Sequence, residues 1–136
     1  MIVRFIIYGL LGWNIEVIWT GICELASGNY NMIGHTSLWM FVIYGGGGIL
    51  LETVRRKIKN RKWFERGLIW MYLIFAVEFT SGAALRLLGL NPWYYDGIFA
   101  VAGLIRLDYG PLWFLVGLAF ERINDIISST PVIKRV

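Results

Sequence analysis

Four glutamates lie inside or at the edge of apolar stretches of this chain with a glycine a helical turn away: Gly12 with Glu16, Gly48 with Glu52, Gly82 with Glu78, and Gly117 with Glu121. Residues four apart share one face of an α-helix. A carboxyl group at membrane depth is costly, so it is turned inward and paired, protonated or put to use. A small residue beside it lets a second backbone come close. The pairing therefore asks for tightly packed helices with polar seams, inside a bilayer.

Composition agrees. Hydrophobic residues make up 57% of the 136, above the soluble range of about 45–50%, and charged residues only 16%, below the usual quarter. Sixteen Gly, seven Trp and seven Tyr suit membrane helices and their rims. The length is that of one domain, a single integral-membrane helical domain over residues 1–136.

The apolar segments run over Ile2–Leu25, Thr36–Val54, Phe64–Leu88 and Pro111–Ile127. Each approaches or exceeds the roughly 20 residues a helical crossing needs. The runs are continuous rather than alternating, which excludes a membrane β-barrel. Ala26–His35 reads as a turn-rich link through Ser27, Gly28, Asn29 and Asn31. Asn91-Pro92 is expected to end the third helix. Gly45 to Gly48 predicts a bend or a close helix approach; no Gly-Lys-Ser/Thr follows, so it is not a phosphate-cradling loop. Gly97–Ile105 is apolar but too short to cross. The expected fold is all-α: a polytopic membrane protein with four transmembrane helices and a short re-entrant or interfacial segment before the last.

The formal charge of +4 is concentrated in Arg55, Arg56, Lys57, Lys59, Arg61, Lys62 and Arg66. Lying between two apolar segments, this 55–66 run reads as a cytoplasmic loop near anionic headgroups, and no nucleic acid is expected. Four crossings would place Arg4 and the Lys134-Arg135 tail on the same cytoplasmic side. Cys23 is alone and cannot form an internal disulfide, and His35 is the single histidine, which excludes a His-rich metal site. The identity of any cofactor or metal stays open. Expected partners are membrane lipids and, because four spans are few for a two-sided pathway, a homodimer or a membrane partner subunit.

Helical spacing sorts each wall. Gly9, Trp13, Glu16 and Thr20 share a face, as do Phe41, Gly45, Gly48 and Glu52. Ile74, Glu78, Gly82 and Arg86 form a third, and Gly110, Phe114, Gly117, Glu121 and Asp125 a fourth. The candidate ligand-binding residues are Glu16, Glu78, Arg86, Asn14, Glu52 and Glu121. A structural alternative stands beside them. Glu16 and Glu78 would join Asn14, Thr80 and Ser81 in a hydrogen-bonded network, Glu52 would be satisfied by Arg55 and Arg56, and Glu121 by Arg122. Arg86 either snorkels to outer headgroups or supplies the counter-charge for Glu16 or Glu78. Trp93, Tyr94, Tyr95 and Asp96 read as an interfacial anchor or lid.

Three functions fit: a binding or transport module for a cation, proton or amphiphilic solute; a membrane scaffold or partner-binding subunit; or a lipid-modifying enzyme using Glu52 and Glu121. No nucleophile is singled out for the last.

Tyr8-Gly9, the Gly12/Glu16 region, Thr36-Ser37-Leu38-Trp39, Ile43-Tyr44-Gly45 and Glu52 open a longer pattern. It continues with Glu78-Phe79-Thr80-Ser81-Gly82, Leu85-Arg86 and Asn91-Pro92-Trp93-Tyr94-Tyr95. Gly103-Leu104-Ile105, Leu107-x-Tyr109, Pro111-x-Trp113 and Glu121 complete it. In order and spacing this resembles the CmpB-like ABC-transporter type IV family, and more closely its transmembrane protein 229 branch. Where that family often reads Trp-Asp-Tyr, this chain has Trp93-Tyr94-Tyr95, with Asp96 following. The resemblance implies a multi-pass membrane protein and no particular reaction. The chain has no Walker motif, so any ATP-driven role would be that of a membrane subunit served by another protein.

Overall fold

Glycine stops the first and third helices in the same way. In the computed structural model, which describes residues 1–130, α1 (Ile2–Ala26) and α3 (Trp63–Leu87) each run 25 residues. The Lys134-Arg135 tail lies outside the described residues. Just beyond each helix a glycine adopts a left-handed backbone, Gly28 at φ +90° and Gly89 at φ +75°. The following N–H reaches back to an orphaned carbonyl, Asn29 to Glu24 and Leu90 to Leu85, both at 3.0 Å. The third helix therefore ends before the Asn91-Pro92 element expected to stop it.

Both helices are long and apolar enough to cross a membrane. At 1.5 Å per residue each spans about 37 Å against a hydrocarbon core of about 30 Å. Only 11% and 22% of their most apolar windows are buried within the chain. A soluble core helix would be covered; here Ile15, Ile18 and Ile22 on α1, and Tyr72 and Phe79 on α3, face outward. α2 (Leu38–Ile58) and α4 (Gly110–Ser129) have 21 and 20 residues, the latter with Pro111 in its first turn.

Between α3 and α4 the stretch expected to be re-entrant or interfacial contains a small antiparallel hairpin. β1 (Ala100–Val101) pairs with β2 (Ile105–Arg106), Ala100 opposite Arg106, and a 3-10 turn over Leu107–Tyr109 leads into α4. Leu104 and Ile105 are buried. Trp93 Nε1 donates to Leu104 O at 3.1 Å and Tyr95 N to Gly103 O at 3.0 Å, so the aromatic stretch lines the hairpin. Its four strand residues are the exception among described residues whose other long elements are all α-helices.

The chain forms two compact units that divide within α2, Met1–Leu50 and the residues from Leu51 onward. In the first, α1 and α2 interlock by glycine and aromatic ring. Phe5 seats against Gly45 and Tyr8 against Gly48 from one side, Phe41 against Gly9 and Tyr44 against Gly12 from the other. The tetraglycine is thus helical and partly a docking surface, whereas Gly46 faces open space. In the second unit the same device joins α3 to α4: Phe114 fills the space at Gly67, and Trp70 that at Gly117. Trp70 is completely buried.

Candidate functional site

The glycine beside a glutamate has a third companion, an aromatic side chain with a polar hydrogen. A Cβ on Gly12 would lie 2.6 Å from Tyr44 Cβ, so only glycine admits that ring. The ring's hydroxyl donates to Glu16 Oε2 at 2.6 Å. A Cβ on Gly117 would lie 2.6 Å from Trp70 Cγ, and Trp70 Nε1 donates to Glu121 Oε1 at 2.9 Å. At Gly82 the ring is Trp93, and Tyr95, two residues on, donates its hydroxyl to Glu78 Oε1 at 2.7 Å. At Gly12 and Gly117 close approach and carboxylate capture are one construction, because the ring that fills the glycine notch carries the donor. The spacing of glycine and glutamate marked these places; the donors come from other segments and carried no local signal.

Glu16 sits half-buried in the first unit. Thr36 and His35 are the other polar groups acting on it, and no Lys or Arg among the described residues pairs with it. The rest of its face is also engaged. Trp13 Nε1 donates to Ser37 O at 3.1 Å, and Thr20 Oγ1 accepts from His35 N at 2.9 Å. Asn14 lies apart: it is exposed and donates to Leu10 O at 2.7 Å, one turn back on its own helix.

Glu78 belongs to the second unit. Thr80 and Ser81 bond back to the carbonyls of Ala76 and Val77, both at 2.6 Å, so their hydroxyls serve the helix backbone and not a carboxylate network. Arg86 serves the hairpin beside it. Its guanidinium donates to Ala102 O, to Gly103 O at 3.1 Å and to Asn91 Oδ1 at 3.2 Å, and lies 5.6 Å over the Tyr94 ring. It clamps the hairpin turn to the end of α3 and forms no ion pair with a described carboxylate. Tyr94 and Asp96 are exposed, while Trp93 and Tyr95 are half-buried.

Glu121 is buried and closely held. Arg66 Nε reaches both its oxygens, at 2.9 and 3.1 Å, while Trp70 adds its N–H and Arg55 stands 3.9 Å away. Arg55 also meets Asp125 at 3.6 Å. The adjacent Arg122, the partner suggested by sequence, makes no ion pair among the described residues. Successive helix residues point about 100° apart, whereas Arg66 and Trp70, four apart on α3, face Glu121 together. Beside this cluster lies a cleft of about 290 Å³ lined by Arg55, Trp63, Arg66, Glu121, Arg122 and Asp125. Glu52 is likewise buried, near the end of α2.

Ahead of α4, Arg106 grips Asp108 through two hydrogen bonds, at 3.0 and 2.5 Å. That bonding holds the Asp108 carboxyl below its ordinary range and pushes Arg106 up. Among the described residues no three His, Cys, Asp or Glu side chains gather as a metal site.

A family model described as "Putative ABC-transporter type IV" matches residues 3–135. No solved structure matches the chain.

Proposed function

Since the chain belongs to the CmpB-like ABC-transporter type IV family, we propose that it is a small multi-pass membrane module that binds a proton or a cationic, amphiphilic solute at Glu16 and Glu78. One observation carries this reading. Glu16 is held by the Tyr44 and Thr36 hydroxyls in an apolar helix pair, with no Lys or Arg among the described residues paired with it and only His35 acting on it by charge. A carboxylate so placed takes its balancing charge from a proton or from a guest. Glu78, which accepts from the Tyr95 hydroxyl at 2.7 Å, is the second carboxylate of this reading, a site of its own in the second unit.

In this reading α2 and α4 cross the bilayer with α1 and α3, and the basic 55–66 loop and both chain ends are cytoplasmic. The order of motifs favours the transmembrane protein 229 branch, and the module works as a homodimer or with a partner subunit. Glu121, neutralised by Arg66 and Arg55, acts as framework.

The test uses protein reconstituted in liposomes, with proton flux followed by an entrapped pH dye and binding followed with tetraphenylphosphonium. Glu16→Gln or Glu78→Gln should abolish the pH-dependent response while retaining the wild-type melting profile. Substitutions that unfold the protein without a prior loss of binding would favour a scaffold role instead.

A further inference from the structure

The cleft beside Glu121 holds more cationic donors than its own carboxylates use. Arg66 is committed, its Nε to Glu121 and a terminal nitrogen to Arg61 O at 2.7 Å. Arg55 meets Asp125 through Nη2, but its Nε and Nη1 are buried and make no hydrogen bond among the described residues. The 3.9 Å from Nη1 to Glu121 is a charge contact beyond hydrogen-bonding range. Arg122, on the cleft's edge, has no hydrogen bond or ion pair among the described residues.

A buried charged donor without an acceptor is costly, so the Arg55 Nε and Nη1 groups mark the position of an acceptor from outside the chain, within reach of the exposed Arg122 on the same lining. Three arginines against one glutamate and one aspartate leave one positive charge in the lining, which selects an anion. Guanidinium groups favour phosphate oxygens, which they meet with several directed N–H bonds. The volume, near the lower end of small-ligand sites at about 300–1,000 Å³, suits a phosphate with part of its ester. Trp63 and Leu118 supply an apolar flank for that ester.

We infer that this cleft is a phosphate-binding site in which Arg55 and Arg122 donate to the phosphate oxygens and the Arg66–Glu121 pair fixes the wall. A phospholipid headgroup and a soluble phosphate share the chemistry. The site is separate from Glu16 and Glu78 and stands whether or not they bind a solute.

Purified protein in a phosphate-free maltoside detergent would be titrated calorimetrically with inorganic phosphate and, separately, with dihexanoyl phosphatidic acid kept below micelle formation. Arg122→Gln should weaken binding about tenfold or more, the value of one charge-assisted hydrogen bond. Lys57→Gln, which removes the same charge from the same basic run but outside the cleft, should leave binding nearly unchanged. Arg122 is exposed and makes no hydrogen bond or ion pair among the described residues, so its variant should melt as wild type does; Glu16→Gln should bind phosphate normally. Binding of the lipid alone assigns the site to headgroups, and comparable binding of both probes assigns it to soluble phosphate. Absence of binding by either probe, or equal weakening by Arg122→Gln and Lys57→Gln, would overturn the proposal.

Discussion

Replacing Gly117 with alanine should separate a true ring seat from loose helix contact. The new methyl would overlap Trp70 Cβ and lie 2.6 Å from Cγ and 3.1 Å from Cδ1. Cβ and Cγ are the atoms least able to swing away, and Trp70 is 0% exposed, with its ring packed edge-on to Phe120 at 6.0 Å. Relief requires α3 and α4 to separate, or the indole to turn and lift Nε1 from Glu121. Overpacking costs about 1–3 kcal/mol, and loss of a hydrogen bond to an ionised group about 1.5–3 kcal/mol. The expected loss is therefore about 1–3 kcal/mol by either route. Equilibrium unfolding in mild detergent, followed by tryptophan fluorescence, would measure it. Gly46→Ala is the reference: nothing lies within 4 Å of its added Cβ, and it should be neutral or stabilising by up to about 1 kcal/mol. Indistinguishable stabilities for the two variants would refute the seat.

Three further outcomes follow from the geometry. Glu121→Ala should destabilise by on the order of 3 kcal/mol, because it leaves Arg66 and Trp70 without their shared acceptor; the same unfolding assay reads it. Gly89→Ala should lose about 1 kcal/mol, since alanine is strained at φ +75°, and hydrogen exchange at the Leu90 amide should report the loosened helix end. Asp108 is held below its unfolded value of about 3.9, so its contribution is complete above that pH and disappears as pH falls through the lower folded value. Arg106 is raised, so its share is present throughout the acid range and changes only above arginine's ordinary value. Wild type should therefore outlast Asp108→Asn at neutral pH, begin to converge with it below about pH 4 and meet it only below the lower folded value, as measured by parallel melting curves.

Helix faces were legible because period and residue size dictate them. Gly9, Trp13, Glu16 and Thr20 all engage α2 or the link before it, and Gly110, Phe114, Gly117, Glu121 and Asp125 all face groups of α3 or the end of α2. Partner identity was less legible. Tyr44 is 28 residues from Glu16, and Arg66 is 55 from Glu121; no local pattern spans such distances. Proximity in sequence misdirected the reading at Arg122, since adjacent helix positions diverge. It also obscured Arg86, whose acceptors are carbonyls of a hairpin too short to show alternation. Gly89 offered a visible stop signal that the stronger Asn91-Pro92 motif overshadowed.

Infrared difference spectroscopy of the protein in lipid vesicles, across a pH step and with Glu16→Gln as the assignment control, most directly tests whether Glu16 accepts a charge from outside the chain. The account predicts a carboxyl band that changes with the step, is absent from Glu16→Gln and shifts in Tyr44→Phe when its 2.6 Å hydrogen bond is removed. A carboxyl signal unaffected by pH and identical in wild type and both variants would contradict it.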